Sequence, residues 1–146
     1  MKRKFLVLSV LMCVFFASMA QKKTDSVALN KKRNVSATQF GVASFYADKF
    51  EGQLTCTDEV FTQKKLTAAC NTLPLNCWIK VTNLRNNKSV LVRVNDRMHP
   101  SNPRLIDMSK SAAVALGYTG HGLTKVKVQY LGKKKPDEEM YAGNQQ

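Results

Sequence analysis

The chain has 146 residues, 44% of them hydrophobic, with 23 Lys and Arg against 10 Asp and Glu and a formal net charge of +13. This length fits one domain. The excess of cations favours an anionic polymer as the partner, and a nonspecific attraction to the cell surface is the alternative. Nucleic acid is not expected as a partner, because no recognition motif is present and the N-terminus predicts export.

The first 20 residues have the organisation of a secretory signal peptide. A cationic segment (residues 2–4) precedes an apolar run (residues 5–16), and Ser18 and Ala20 are small residues at the −3 and −1 positions of a cleavage site. The run is shorter than the ~20 residues that span a bilayer, so no membrane span is expected after signal removal. Cys13 lies inside this run behind two bulky residues, which disfavours lipidation. We therefore predict export to the periplasm or cell envelope.

Charge and composition divide the rest of the chain into three parts. Residues 21–38 are basic without apolar periodicity and predict a flexible arm. Residues 132–146 mix lysines and acids with a polar end and predict a disordered tail. The compact domain is therefore expected within residues 39–131.

Four segments of this domain have the character of β-strands. Residues 40–46 are apolar with small residues interleaved, and residues 78–82, 89–94 and 125–130 alternate between apolar and polar side chains. Asn86 and Asn87 separate the second segment from the third and favour a tight turn, which predicts a hairpin.

One helix is predicted. Ser109 is a favourable N-cap, residues 110–116 are rich in Ala, and Gly117 suits the C-terminal end. We expect Asp107 to stabilise the helix N-terminus and a second short helical turn near residues 63–69. Short strands with one helix and no repeated β-α-β pattern predict a mainly β protein, a compact barrel.

Three cysteines remain after signal removal, Cys56, Cys70 and Cys77. In an oxidising compartment, one disulfide with one leftover thiol is the simplest arrangement, and an intermolecular bridge is the alternative. Zinc is not expected, because the thiols lack clustered spacing and His99 and His121 lack the spacing of paired ligands. No cofactor is expected.

Asp96 is the leading candidate for chemistry. It directly follows the strand segment of residues 89–94, at the mouth of a small β fold, where a single carboxyl group with a suitable pKa can cleave a glycosidic bond. The alternative is that Asp96 only caps a turn with Asn95. Glu59 lies beside Asp58 in a polar loop, where a solvated carboxylate is as good an interpretation as a functional one.

Eight segments follow one another in an order that resembles the rare lipoprotein A (RlpA) family: residues 41–46 (GVASFY), 50–52 (FEG), 59–61 (EVF), 66–69 (LTAA), 72–74 (TLP), 81–84 (VTNL), 94–97 (VNDR) and 106–109 (IDMS). The resemblance implies a six-stranded double-psi β-barrel, the fold shared with expansins. It also implies a lytic transglycosylase of the septum or envelope that acts on the glycan strands of peptidoglycan, preferably strands stripped of stem peptides.

The resemblance also implies site residues. Asp96 falls on the family's catalytic Asp and Glu59 on its characteristic Glu, whereas the family's His after Thr-Ala-Ala is here Cys70. We therefore expect Asp96 and Glu59 to be the catalytic pair, with Glu59 either raising the pKa of Asp96 as a neighbouring like charge or holding the sugar. We expect Tyr46, Arg97 and His99 to bind substrate, although strand alternation sends Arg97 to the face opposite Asp96.

Two segments depart from the family pattern. Cys70 replaces the His, and residues 98–100 read Met-His-Pro where the family favours Gly-Pro-Phe. We expect both departures at the cleft, with a site weakened by Cys70, some compensation by His99, and increased cleavage on Cys70→His. From the residues alone, Cys70 has three interpretations: a buried small hydrophobic side chain, half of a disulfide, or a thiol in the cleft. By analogy with expansin-like relatives that pair cysteines near the start of the barrel, we expect a Cys56–Cys77 disulfide.

Two functions follow. The first is an enzyme in which one carboxyl group protonates the leaving oxygen and the muramic acid 6-hydroxyl is the nucleophile, whereas a typical hydrolase needs two carboxyl groups. The second is a non-catalytic, expansin-like module that binds glycan or loosens the wall. Retention of Asp96 and Glu59 favours the first, and loss of the family His favours the second.

Overall fold

The computed structural model describes residues 37–137, which contain six β-strands, one α-helix and a short 3-10 helix. The predicted signal peptide, nearly all of the predicted arm and the end of the predicted tail lie outside these residues. The strands are β1 (Thr38–Phe45), β2 (Thr67–Ala69), β3 (Cys77–Asn83), β4 (Ser89–Asp96), β5 (Ile106–Met108) and β6 (Thr124–Gly132). The 3-10 helix is Asp48–Phe50 and the α-helix, α1, is Lys110–Leu116.

The strands close into a barrel in the order β1-β5-β2-β4-β3-β6. The β1–β5 and β2–β4 pairs are parallel and the other four pairs are antiparallel. Each parallel pair joins segments that are distant in the chain, so crossover connections run past the ends of the barrel. The mainly β, six-stranded barrel with one short helix is confirmed.

The strand register places two carboxylates in one row across the barrel. Asp96 at the end of β4 pairs with Ala69 of β2, Ala69 pairs with Asp107 of β5, and Asp107 pairs with Ser44 of β1. These four residues belong to four adjacent strands. Asp96 and Asp107 therefore approach the same end of the barrel.

The core contains residues of all six strands and of α1, and β3, β4 and β6 contribute alternate residues to it. Ile79, Val81, Val92 and Val94 are fully buried, as the alternating pattern predicts for one face of a strand. The predicted hairpin is also confirmed: β3 pairs with β4 in antiparallel register, and Asn87 adopts φ 59° in the turn. Apolar burial of this kind contributes roughly 25 cal/mol per Å² removed from water.

Helix α1 has the predicted ends. Ser109 is the N-cap and its hydroxyl accepts a hydrogen bond from Ala112 N, while Gly117 at the C-cap adopts the left-handed conformation with φ 72°. Asp107 does not stabilise the helix N-terminus as predicted, because it lies in β5 and its carboxylate is hydrogen-bonded by other side chains.

Within residues 37–137, no helix is both long enough and apolar enough to cross a membrane.

The predicted helical turn at residues 63–69 is wrong. Thr67–Ala69 forms strand β2 instead, and all three residues are buried between β4 and β5. Ala68 and Ala69 fit this position because small side chains let neighbouring strands approach in the crowded barrel interior. Helix propensity is overridden here by pairing on both edges.

A close approach at Gly41 gives a stability prediction. A Cβ at Gly41 would lie 2.6 Å from Leu105 Cβ, so Gly41→Ala forces the backbone of β1 to shift and is expected to destabilise the protein by about 1–3 kcal/mol. Gly120→Ala is the matched control, because no heavy atom lies within 4 Å of its added Cβ. Denaturant unfolding of both variants checks this, and equal midpoints would contradict it.

Candidate functional site

A cavity of about 590 Å³ opens at the end of the barrel where β4 terminates. It lies between two segments, the end of β1 with the 3-10 helix and the loop that follows β4. Its polar and charged lining side chains are Tyr46, Lys49, Gln53, Asp96, Arg97, His99, Asn102, Arg104 and Asp107. Phe45, Phe50, Leu54, Phe61 and Met98 contribute apolar surface. This cavity brings together four predicted site residues, Tyr46, Asp96, Arg97 and His99.

Asp96 accepts hydrogen bonds from three residues. Its Oδ2 accepts from the Tyr46 hydroxyl at 2.7 Å, and its Oδ1 accepts from the backbone N of Cys56 at 3.0 Å and of Arg97 at 2.8 Å. The Arg97 contact is the local one expected of a turn. The other two donors come from segments 50 and 40 residues earlier in the chain. Asp96 is therefore held by the tertiary structure in a defined orientation at the cavity.

Tyr46, which was predicted to bind substrate, donates a hydrogen bond to Asp96. Burial, followed by the hydrogen bond to Asp96, raises the pKa of Tyr46 far above its usual value, so the phenol stays protonated. Its ring packs edge-on against Phe50 with centroids 5.6 Å apart and lies 4.4 Å from the Phe61 ring centroid. These contacts fix the hydroxyl on Asp96.

The second carboxylate of the cavity is engaged by a cation. Asp107 Oδ1 accepts from Arg104 Nε at 2.7 Å and from the Ser44 hydroxyl at 2.6 Å, and its Oδ2 accepts from Arg104 Nη2 at 2.9 Å. The bidentate pair fixes the Arg104 guanidinium in the cavity wall. Sequence reasoning missed this pair, because a spacing of three residues brings side chains together in a helix, whereas Arg104 lies in a loop and Asp107 in β5.

Arg97 and His99 both line the cavity with Asp96. Strand alternation predicted Arg97 on the opposite face, but β4 ends at Asp96, so the alternation stops there. Arg97 Nη1 donates to the Cys70 carbonyl oxygen. His99 Nδ1 lies 2.7 Å from the Ser101 hydroxyl, and its ring is exposed.

Glu59 is not among the residues that line this cavity. Its two oxygens accept from both terminal nitrogens of Arg93, at 2.7 and 2.6 Å, and Oε1 also accepts from the Thr57 hydroxyl at 3.1 Å. The Arg93 hydrogen bonds are the main cause that lowers the pKa of Glu59 to about 2. Glu59 is therefore ionised at any ordinary pH and is unsuited to donating a proton.

The Glu59 pKa gives a pH prediction for stability. A carboxyl group with pKa 4.5 when unfolded and about 2 when folded stabilises the protein above pH 4.5, and this contribution is lost as the pH falls toward 2. Glu59→Gln cannot titrate, so its stability deficit relative to wild type should shrink across that range. Urea unfolding at several acidic pH values measures the deficit. A deficit that stays constant from pH 4.5 to 2 would contradict the assigned ion pair.

Cys70 corrects the expectation that both family departures lie at the cleft. Its side chain is fully buried in the core cluster, with Sγ 3.3 Å from the Thr72 hydroxyl, and it does not line the cavity. The other departure, Met98 and His99, does line it. Asn71, the residue after Cys70, links the two departing segments: its Oδ1 accepts a hydrogen bond from Met98 N at 2.9 Å.

The predicted Cys56–Cys77 disulfide is absent, and the three cysteines within residues 37–137 are free. Cys56 is exposed, and the hydrogen bond of its thiol to Asp96, distinct from that of its backbone N, is the main cause that raises the pKa of the thiol. Cys77 is buried as the first residue of β3, and burial, followed by the nearby Cys70, raises its pKa to about 11. The two thiols thus belong to different environments, one on the surface beside the cavity and one in the core.

Within residues 37–137, no group of three or more His, Cys, Asp or Glu is arranged to hold a metal ion.

The sequence profile of the family described as Lytic transglycolase matches residues 38–128, which is the whole barrel except the end of β6. The chain belongs to this family. The family prediction made from the sequence motifs is thereby confirmed.

Several proteins named endolytic peptidoglycan transglycosylase RlpA are similar to the chain. The protein of Rickettsia bellii is 48% identical over 99 residues, which cover 66% of this chain and 44% of the relative. The protein of Haemophilus influenzae is 45% identical, over 62% of this chain and 32% of the relative. The protein of Pseudomonas aeruginosa is 49% identical, over 61% of this chain and 26% of the relative. The chain therefore spans less than half the length of these curated relatives.

Solved structures share the fold at low sequence identity. A Streptomyces papain inhibitor aligns with TM-score 0.54 and 17% identity, covering 67% of this chain and 97% of the inhibitor. An expansin of Clavibacter michiganensis aligns with TM-score 0.51 and 20% identity, covering 68% and 52%. With the closed six-stranded barrel, these likenesses confirm the predicted double-psi β-barrel fold.

Proposed function

We propose that this protein is an endolytic transglycosylase that cleaves the glycan strands of peptidoglycan and leaves 1,6-anhydro-muramic ends. The observation that carries the proposal is Asp96, which is held by Tyr46 and the Cys56 amide at the wall of an open cavity. Membership of the lytic transglycolase family and the names of the RlpA relatives support the same reaction.

The reaction requires one carboxyl group and no water. Protonated Asp96 gives its proton to the glycosidic oxygen as the bond to the anomeric carbon breaks. The carboxylate then takes the proton of the muramic acid 6-hydroxyl as that oxygen bonds to the same carbon. Proton and electrons balance, and Asp96 ends the cycle protonated. Glu59, which is ionised and paired with Arg93, is not needed in either step.

Three other side chains complete the proposed site. Tyr46 keeps Asp96 oriented, while Arg97 and His99, which line the same cavity, contact the glycan. The Arg97 guanidinium has five N–H donors, and the Cys70 carbonyl accepts from only one of its nitrogens. Donors therefore remain for sugar oxygens or for the carboxylate of muramic acid.

The proposed substrate sets the proposed location. Peptidoglycan lies outside the cytoplasmic membrane, so we place the protein in the periplasm or cell envelope, in agreement with the signal-like residues 1–20. The basic domain, with 12 Lys and Arg against 6 Asp and Glu in residues 39–131, favours anionic glycan over neutral polymers. Glycan strands are the proposed partner, and nucleic acid is not.

Digestion of purified glycan strands, with and without stem peptides, tests the proposal. Mass spectrometry is expected to detect new anhydro-muramic ends. Reducing ends would indicate hydrolysis and contradict the transglycosylase mechanism. Pelleting with the wall and no products would instead support the non-catalytic, expansin-like module.

A further inference from the structure

The loop that carries Glu59 also carries one of the donors to Asp96. Thr55 N donates to the Glu59 carbonyl at 2.9 Å, and Asp58 N donates to the Thr55 carbonyl at 3.0 Å. Asp58 adopts the left-handed conformation with φ 60°. Residues 55–59 thus form a closed turn, and its second residue, Cys56, donates its backbone N–H to Asp96 Oδ1.

An ion pair fastens the turn to β4 at Glu59, and the Asn95 side chain of the same strand also hydrogen-bonds Glu59. Glu59, its last residue, holds Arg93 with both oxygens, and Arg93 Nη1 also donates to Asn76 Oδ1 at 2.9 Å. Arg93 itself is fixed in the sheet, because it pairs with Thr67 of β2 and with Trp78 of β3. Since Arg93 precedes Asp96 by three residues on the same strand, the pair sets where the turn lies relative to the carboxylate.

We propose that Glu59 is a positioning residue that places the Cys56 amide on Asp96 through its ion pair with Arg93. The inference deepens the proposed function, on which it rests. It replaces the expectation that Glu59 acts on the substrate directly. A bidentate carboxylate–guanidinium pair is directional, so it holds the turn in one orientation.

The amide of Cys56 reports this geometry without any assay of cleavage. An amide hydrogen-bonded to a carboxylate changes its chemical shift when that carboxylate titrates. Several charged or titratable groups lie around Asp96: Tyr46, Lys49, Cys56, Arg97, His99, Arg104 and Asp107. Of these, only Cys56 belongs to the turn held by Glu59.

The experiment compares four forms of the full chain, labelled with ¹⁵N: wild type, Glu59→Gln, Asp58→Asn, and the charge-exchanged double variant Glu59→Arg with Arg93→Glu. Asp58→Asn removes one negative charge from the same turn, and Asn tolerates positive φ, so it is the matched control. The pH titration of the Cys56 amide and the yield of anhydro-ended products are measured for each form.

In Glu59→Gln, the Cys56 amide should move upfield and lose most of its pH response. Product yield should fall about tenfold, because Asp96 loses one of the donors that orient it, and a hydrogen bond to a charged group is worth about that much. Asp58→Asn should match wild type in both measurements. The charge-exchanged variant should recover at least part of the pH response of the Cys56 amide and part of the product yield.

Loss of cleavage in Glu59→Gln with an unchanged Cys56 amide would overturn the proposal and assign Glu59 to the reaction itself. An unchanged amide and unchanged yield would overturn it as well. If the charge-exchanged variant does not fold, the amide of Glu59→Gln decides alone. If wild type cleaves no glycan, the proposed function fails, while the amide titration still decides whether Glu59 positions the turn.

Discussion

Replacement of Asp96 by Asn is expected to abolish anhydro-ended products while the barrel stays folded. Asn is close in size and its Oδ1 accepts a hydrogen bond in the same cavity, but an amide can neither give the leaving oxygen a proton nor take one from the 6-hydroxyl. Loss of this acid–base group should reduce cleavage at least ~100-fold. Mass spectrometry of digested glycan strands measures the products.

The control for this variant is Asp58→Asn, which removes the same charge from an exposed position outside the cavity. It should retain wild-type cleavage. Near-UV circular dichroism should show native packing in both variants. Full activity of Asp96→Asn would exclude Asp96 as the acid and base, and with it the one-carboxyl mechanism.

Replacement of Cys70 by His is expected to destabilise the protein by about 2–4 kcal/mol and not to increase cleavage. The thiol is fully buried, so the larger imidazole overpacks the core and buries polar nitrogens. Thermal unfolding should therefore show a markedly lower midpoint. This outcome replaces the sequence-based expectation that an imidazole at this position restores a weakened site.

Cys70→Ala is the matched control, because it shortens the side chain without overpacking and should cost less stability than Cys70→His. Both variants keep the carbonyl oxygen that accepts from Arg97. A folded Cys70→His variant that cleaves glycan faster than wild type would contradict the burial argument. It would indicate that the ring reaches the cavity.

The sequence predicted the elements whose side chains follow a clear period. Residues 78–82 and 89–94 alternate over enough positions to define a buried face, and Ser109 and Gly117 mark the helix ends. Strands β2 and β5 have three residues each, too few for an alternation to be recognised. They were implied only by the family resemblance, and the Ala-rich β2 was mistaken for a helical turn.

The site was predictable only in part, for a physical reason. Asp96 was found because it follows a strand, but one of its donors is a backbone N–H of Cys56, which no side-chain pattern reveals. The ion pair that engages Glu59 comes from Arg93, 34 residues later in the chain. A motif match assigns positions to a family, whereas burial, as at Cys70, depends on which way each side chain faces in the folded barrel.

The hydrogen bonds to Asp96 have a consequence for when activity arises. Two of its donors, Tyr46 and Cys56, precede it by 50 and 40 residues, and they reach it only after β4 has paired with strands from both sides of the barrel. A partly folded chain therefore carries Asp96 without its Tyr46 and Cys56 donors. Under the proposed function, catalytic competence would therefore begin only with closure of the barrel.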